Sequence, residues 1–222
     1  AKKIAAGMME CLEDDLELAD GCVRLKSAPD VKKTLREIAV KAFGMPGFSM
    51  AGGISPGLEH TAHFTPDQSA YSNGAHVAEV EVDIETGEVK ILRFTVAHDC
   101  GRVINPMVVD GQVIGGVAHG VGNALYEQLM FDDNAQPLTT NFGEYLLPMA
   151  TDVPRVDLVH LQTPSPLNPL GVKGAGEGGT ISAIGAIISA VENALEPFGV
   201  HIAEAPITPM RIVELLREHS KG

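Results

Sequence analysis

The sequence predicts an α+β fold, in which pieces of mixed sheet that include one β-hairpin are flanked by glycine-rich and buried helices. Residues 76–83 and 89–98 alternate between apolar and polar side chains around a Gly-containing turn, which is typical of a hairpin. Residues 107–128 and 180–195 are stretches of helical length rich in apolar residues. With 222 residues, 45% of them hydrophobic, the chain can form one large domain or two small ones around a real core.

The first 43 residues are predicted to form a small α-rich segment. Apolar residues at helical spacing indicate a helix over residues 1–18, which Gly21 is expected to end. Residues 22–25 are consistent with a short strand, and a second helix is expected from Pro29 to about residue 42.

Residues 44–222 are predicted to form the larger domain, beginning with a long loop rich in Gly and Pro at residues 44–73. Loops of this length usually carry a function or cross to another domain. Residues 53–57 match the G-x-S-x-G pattern of serine hydrolases, but those enzymes use the backbone N–H after the serine, and Pro56 has none. Residue types that bind zinc also occur in and just after this loop without an H-E-x-x-H motif, and polar loop side chains are the simpler interpretation. They are Glu59, His60, His63 and His76.

Further signals predict a turn, a strand and a final helix in the larger domain. The turn is expected at residues 132–136 and the strand at residues 156–162. Thr208 as N-cap and Pro209 in the first turn indicate a last short helix to about residue 218.

The helix predicted at residues 107–128 contains five glycines, two of them on a different face from the other three. Glycine in a helix costs about 1 kcal/mol relative to alanine, so five of them require close packing of other backbone or of a bulky ligand. Gln112 and His119, seven residues apart, share the face between the two glycine stripes. Tight helix packing, with both polar groups satisfied by protein, explains the same pattern without a ligand. The stripes are Gly111, Gly115 and Gly122, and Gly116 and Gly120.

The segment GVKGAGEGGT, residues 171–180, surrounds one carboxylate with five glycines and is called here the Glu177 loop. Because a helix is expected to follow it, Glu177 lies just before a helix N-terminus, where the dipole favours an ionised carboxylate suited to general base catalysis. A structural loop with a solvated Glu177 remains an alternative. The glycines at 174, 176 and 179 also match the dinucleotide fingerprint G-x-G-x-x-G, but that motif must directly follow a strand, and here a proline-rich loop precedes it.

Charge and cysteine content narrow the class of protein. A formal net charge of −13 argues against nucleic acids and anionic membrane surfaces as partners. No apolar run reaches the roughly 18 residues of a membrane span, and no secretory signal is recognisable. Three widely spaced cysteines indicate a reducing compartment, and we expect a cytoplasmic protein. Because the chain begins with Ala rather than Met, we expect it to be part of something longer or a processed subunit.

Three motifs and the end of the chain together resemble one family. The motifs are HDCGRVINP at residues 98–106, GQVIGGVAHGVG at 111–122 and the Glu177 loop, and the closing EAPITP is at 204–209. In this order and spacing they resemble the C-terminal part of the molybdopterin-binding large subunit of the molybdenum hydroxylases, which include xanthine dehydrogenase, aldehyde oxidoreductase and aerobic carbon monoxide dehydrogenase. The resemblance covers about residues 1–218.

The resemblance implies roles for eight residues. Glu177 matches the general base beside the molybdenum, and Gln112 matches a glutamine that hydrogen-bonds the pterin. His119 stands where the family usually has glutamine, and it can still donate one hydrogen bond. No protein side chain is implied as a metal ligand. The further implied contacts around the cofactor are Gly111, Gly115, Gly116, His119, Gly176 and Gly178.

The family's activity is also implied: hydroxylation of an aldehyde or N-heteroaromatic carbon, or oxidation of CO, with water as the oxygen source. The cofactor would be molybdenum–molybdopterin, in the cytosine dinucleotide form if the protein is bacterial. Two 2Fe–2S clusters and FAD would lie on partner domains or subunits, since three scattered cysteines cannot hold a Cys₄ cluster. The partners would be the rest of the large subunit, an iron–sulfur subunit and an FAD subunit, in a dimer of heterotrimers. The isolated chain is expected to be inactive. A non-catalytic assembly module of the same ancestry and a nucleotide-binding domain are the alternatives.

Overall fold

The computed structural model describes residues 1–43 and 56–219, and the chain divides into two compact units, Ala1–Thr65 and Pro66–Gly222. The domain boundary at residue 43 that the sequence suggested stays a prediction. Residues 44–55, which include most of the G-x-S-x-G match, lie outside the described residues. Residues 56–72 contain neither helix nor strand, as predicted for this loop.

In its described residues, the first unit combines two helices with a small antiparallel sheet of order β1-β2-β3. Leu16, Val23 and Ile38 are fully buried at its centre. A short 3₁₀ turn, Glu13–Asp15, precedes the sheet. The elements are α1 (Lys2–Met9), β1 (Leu16–Ala19), β2 (Cys22–Leu25), β3 (Lys32–Thr34) and α2 (Leu35–Phe43).

The predicted helix over residues 1–18 is wrong beyond its first two turns. Helix α1 ends at Met9, and Leu16–Ala19 form β1 instead. Asp20 and Gly21, with φ of 50° and 70°, form the turn from β1 to β2 rather than a helix end. The strand at residues 22–25 is confirmed.

The second helix begins at Leu35 rather than Pro29, because residues 32–34 pair with β2. Its start has a local cause. Thr34 Oγ1 accepts from the Glu37 backbone N–H at 3.2 Å, and Glu37 Oε2 accepts from the Thr34 N–H at 2.8 Å. This reciprocal pair is a capping box, which satisfies backbone donors at a helix N-terminus.

As far as residue 219, the second unit contains a three-stranded mixed sheet and three helices. β4 and β5 pair antiparallel, and β5 and β6 pair parallel. The predicted hairpin, glycine-rich helix, later strand, apolar helix and last helix are all confirmed, as is the α+β class. The elements are β4 (Asn73–Val82), β5 (Val89–Asp99), α3 (Pro106–Leu125), β6 (Val156–Leu161), α4 (Ile181–Leu195) and α5 (Pro209–His219).

Helices α3 and α4 pack with one face of this sheet in a single core. Phe94 and Val96 of β5 are fully buried together with Val113 of α3 and Ile187 of α4. The Asn105 side chain caps α3 by accepting from the Val108 N–H at 3.4 Å. The site described below lies at the end of the sheet where β5 and β6 finish.

The apolar helical stretch Ile181–Phe198 is longer than the sequence suggested, because a 3₁₀ turn extends α4. Its 18 residues are long and apolar enough to cross a membrane. However, Ala183, Ile187 and Val191 are buried in the core of the second unit. A core helix passes the same length and composition test, so the stretch is weak evidence for a span.

Candidate functional site

The Glu177 loop runs into α4, as the sequence predicted. The Glu177 carbonyl accepts from the backbone N–H groups of Thr180 and Ile181, at 3.0 and 3.2 Å. Glu177 therefore lies immediately before the first turn of α4. Its side chain is exposed, so the carboxylate is free to meet a molecule that lies over the helix N-terminus.

A buried ion pair anchors the start of the loop. Lys173 Nζ donates to Asp99 Oδ2 at 3.2 Å and to Thr163 Oγ1 at 3.0 Å. The Lys173 backbone N–H also donates to the Cys100 carbonyl at 2.8 Å. The loop is thus held to the end of β5 by both a side chain and its backbone.

Asp99 is ionised at this anchor although it is only 6% exposed. Burial opposes the charge, but Asp99 accepts hydrogen bonds from the backbone N–H groups of Gly101 (2.8 Å) and Thr163 (3.2 Å) as well as from Lys173. Together these donors hold the pKa of Asp99 below its ordinary value. The Thr163 hydroxyl is a further donor to the same carboxylate.

Two histidines hold the other end of the loop at Gly178. His76 Nε2 lies 3.1 Å from the Gly178 carbonyl oxygen, so this nitrogen carries the proton and donates it. The His98 ring lies directly against the Gly178 backbone, since a Cβ on Gly178 would overlap the ring and lie 2.8 Å from Nδ1. Only glycine fits at position 178 while His98 stays in place.

His98 belongs to a row of three histidines, one on each strand, that the sequence analysis did not identify. His98 and His160 are register partners on β5 and β6, and His160 Nε2 lies 2.6 Å from Asp110 Oδ1 on α3. Burial is the main cause that lowers the pKa values of His76 and His98. Strand alternation was the available signal, because it places His98 on the same face as the buried Phe94. Among the described residues, the row leaves four buried ring nitrogens without partners: His76 Nδ1, His98 Nδ1 and Nε2, and His160 Nδ1.

The two glycine stripes of α3 have different surroundings. A Cβ on Gly116 would lie 2.8 Å from the Gly179 backbone, and one on Gly120 would overlap Ala183, so this stripe brings α3 against α4. On the other stripe, a Cβ on Gly111 or Gly115 would meet nothing within 4 Å in the described part of the chain. Gly111 and Gly115 are therefore the glycines that leave an open surface.

Gln112 and the Glu177 loop lie side by side. Gln112 is exposed beside the open glycines, and its Nε2 lies 4.0 Å from where a Cβ on Gly176 would be. His119 is also exposed, seven residues further along α3. The structure thus brings Gln112, Gly176 and Glu177 together and leaves His119 about 10 Å along the helix axis. Gly116 lies beneath them in the protein interior.

This surface fits a flat cofactor with hydrogen-bonding edges. The open glycines allow close approach to the helix, and the Gln112 amide and Glu177 carboxylate supply polar groups at one side. Within residues 1–43 and 56–219, no group of three or more His, Cys, Asp and Glu side chains is arranged to hold a metal ion. The zinc alternative therefore has no support in the described residues.

The nucleotide alternative also lacks its structural context. The dinucleotide fingerprint must directly follow a strand and open a helix within a βαβ unit. β6 ends at Leu161, and a segment that contains neither helix nor strand separates it from the Glu177 loop.

Comparison with known proteins identifies the family. The protein-family model described as the molybdopterin cofactor-binding domain matches residues 1–154 of this chain. The nicotine 6-hydroxylase large subunit of Paenarthrobacter nicotinovorans is 38% identical over 95% of this chain and 26% of its own length. The carbon monoxide dehydrogenase large chain of Hydrogenophaga pseudoflava is 35% identical over 99% of this chain and 27% of its own length.

Among solved structures, quinoline 2-oxidoreductase from Pseudomonas putida 86 superposes with a TM-score of 0.90 at 38% identity, over 98% of this chain and 28% of that one. The chain thus spans about a quarter of the length of these relatives. The resemblance read from the three motifs is confirmed, and the chain belongs to the molybdopterin cofactor-binding domain family.

Proposed function

We propose that this chain is part of a molybdenum hydroxylase in which α3 and the Glu177 loop hold the cofactor and Glu177 is the general base. One observation carries the proposal. The open glycine surface of α3, the Gln112 amide and the Glu177 carboxylate lie together at the N-terminus of α4. Packing within the protein explains Gly116 and Gly120 but leaves this exposed polar surface without a role.

Each exposed group has a task in that reaction. When bound, the molybdenum cofactor would supply the two-electron oxidation and activate the water that provides the oxygen atom. Gln112 presents both an amide donor and an acceptor, which suits the edge of a pterin. Glu177 accepts a proton at its carboxylate, which is exposed immediately before α4. Gly111, Gly115 and Gly176 add no side chain that would block the cofactor. Gly178, Gly116 and His119 contribute to the surroundings of the site.

The anchors at both ends of the loop explain how a glycine-rich segment can hold a base in position. Glycine leaves the backbone many conformations. Lys173 limits them at the start of the loop through Asp99, and His76 limits them at Gly178. A general base must stay within hydrogen-bond reach of the proton that it removes.

The similar proteins favour an N-heteroaromatic substrate. Two of them are named for nicotine and quinoline, and a third is named for carbon monoxide. We therefore propose hydroxylation of an N-heteroaromatic carbon, with an aldehyde or CO as the other candidates.

One similar protein is called a complex subunit, which supports an assembly with partners. The partners would be the rest of a large subunit, an iron–sulfur subunit and an FAD subunit, in a cytoplasmic dimer of heterotrimers. The cytosine dinucleotide form of the cofactor belongs to the same proposal.

The test is Glu177→Gln in the complete enzyme that contains this chain. The variant should keep its molybdenum and lose turnover by roughly 10²–10⁴-fold, the range that positioned acid–base groups contribute. Glu85→Gln is the matched control, because Glu85 is exposed in the β4–β5 turn, away from the loop. Near-normal turnover in Glu177→Gln would refute the base assignment. A native complex that is correctly matured but contains no molybdenum would instead favour a non-catalytic assembly module.

A further inference from the structure

We propose that His76 and His98 are positioning residues for Glu177, which fix the backbone of Gly178 and thereby set the place of the neighbouring carboxylate. This inference rests on the proposed function, in which Glu177 is the general base. Neither histidine contacts the cofactor surface of α3 in this assignment. They act through the peptide that joins Glu177 to Gly178.

His76 is held rigidly enough for such a task. Its ring meets the Phe94 ring edge to face, with centroids 5.7 Å apart and an interplanar angle of 83°. Phe94 is fully buried on β5, so it fixes the orientation of the His76 ring. In this orientation Nε2 donates to the Gly178 carbonyl, which is the only side-chain hydrogen bond that the described residues make to that carbonyl. The loop end is therefore tied to β4.

His98 supports Gly178 by contact rather than by a hydrogen bond. It is 1% exposed, and neither of its ring nitrogens has a partner among the described residues. A buried polar group without a partner is destabilising, so an apolar side chain would stabilise this position better. The ring occupies the space that a side chain on Gly178 would need. A role in supporting the Gly178 backbone explains why a polar ring of this size is found at position 98.

The row also connects the loop with the other side of the site. His160 follows His98 across the sheet, and it meets Asp110, which lies two residues before Gln112 on α3. The amide and the carboxylate of the proposed site are thus positioned from the same ends of β5 and β6. A shift at His98 is expected to change the distance between these two groups, which would affect turnover more than substrate affinity.

The first experiment compares His76→Leu with His76→Gln in the complete enzyme. Leucine removes the donor, whereas the glutamine amide can donate from nearly the same place as Nε2. His76→Leu should lower kcat by roughly tenfold to a hundredfold, with KM and molybdenum content close to those of the wild type. His76→Gln should recover most of kcat. Hydrogen exchange in the cofactor-free enzyme gives a second readout, because residues 174–180 should exchange faster in the leucine variant only.

The second experiment uses the contact between His98 and Gly178. Gly178→Ala should lower kcat because the new methyl overlaps the ring, and His98→Ala should lower it because the support is lost. The kcat of the double variant should exceed that of either single variant by roughly tenfold or more, since the methyl then fills part of the space vacated by the His98 ring. Gly185→Ala on α4 is the control, because its Cβ would meet nothing within 4 Å in the described residues, and its kcat should be unchanged.

The outcomes separate this inference from the function on which it rests. If Glu177→Gln abolishes turnover but His76→Leu has normal kcat, or His76→Gln is no better than His76→Leu, the positioning role is wrong and the base assignment stands. Simple additivity in the second experiment would also overturn the role of His98. If Glu177→Gln keeps its turnover, the proposed function itself fails.

Discussion

Adjacent glycines on α3 should respond differently to the same added methyl group. A Cβ on Gly115 would meet nothing within 4 Å in the described residues. A Cβ on Gly116 would lie 2.8 Å from the Cα and carbonyl carbon of Gly179 and 2.9 Å from the Thr180 nitrogen. These are backbone atoms at the start of α4, so no side-chain rotation can relieve the overlap.

The magnitude follows from two terms. Replacing glycine by alanine inside a helix stabilises it by about 1 kcal/mol, and this gain applies equally to Gly115 and Gly116. Overpacking a tight contact costs about 1–3 kcal/mol and applies only to Gly116. Since the helix term cancels, Gly116→Ala should be less stable than Gly115→Ala by about 1–3 kcal/mol.

Urea denaturation of the 222-residue chain, followed by circular dichroism, measures this difference directly. Gly115→Ala should unfold at higher urea than the wild type, and Gly116→Ala at lower urea than Gly115→Ala. Equal stability of the two variants would refute the close approach of α3 to α4. Molybdenum analysis of the complete enzyme adds an independent result. Gly115→Ala should bind less cofactor despite its higher stability, because its methyl lies on the proposed cofactor surface, and full molybdenum content would contradict that assignment.

The remaining predictions concern the anchors of the Glu177 loop. Lys173→Met leaves the buried Asp99 carboxylate without its cation and should destabilise the chain by about 3–5 kcal/mol in urea denaturation; a loss below 1 kcal/mol would show that the pair does not hold the loop. Burial lowers the pKa values of His76 and His98 in the folded chain. Below the unfolded histidine pKa of about 6.5, the unfolded chain therefore binds more protons than the folded chain. Tm should fall as the pH drops from about 6.5 through the folded pKa values of these two histidines. His98→Leu should weaken this pH dependence, and an unchanged slope would contradict the cause. Asp99 affects the stability of the chain at lower pH. Its folded pKa is depressed, so the stability that it contributes is lost only as the pH falls from about 3.9 through that folded pKa.

Local sequence signals were sufficient to predict the main helices and strands of the second unit. Alternation predicted β4 and β5, a stretch of helical length rich in apolar residues predicted α3, and the glycines before residue 180 placed Glu177 ahead of α4. Each of these signals depends on side chains close in sequence, such as a cap, a turn or an apolar period. Family resemblance then implied a cofactor contact for Gln112, which no local rule contains.

Local signals misassigned part of the first unit, where helix and strand patterns overlap. Leu16 and Leu18 fit the apolar spacing of a helix as well as that of a strand, and pairing with β2 decides between the two. Strands of three or four residues are stabilised by their neighbours rather than by their own sequence. The start of α2 was readable, because Thr34 and Glu37 form a capping box, but the helical pattern from Pro29 concealed it.

By itself, the sequence determined the family, the α+β class, the hairpin and the carboxylate at the start of α4. It also showed that the glycines of α3 form two stripes. Only the tertiary structure decided that Gly116 and Gly120 face α4 while Gly111 and Gly115 remain open, because that depends on which helix packs on which face. The histidine row was likewise decided by strand order, since His76, His98 and His160 are far apart in sequence and meet only when β4, β5 and β6 pair.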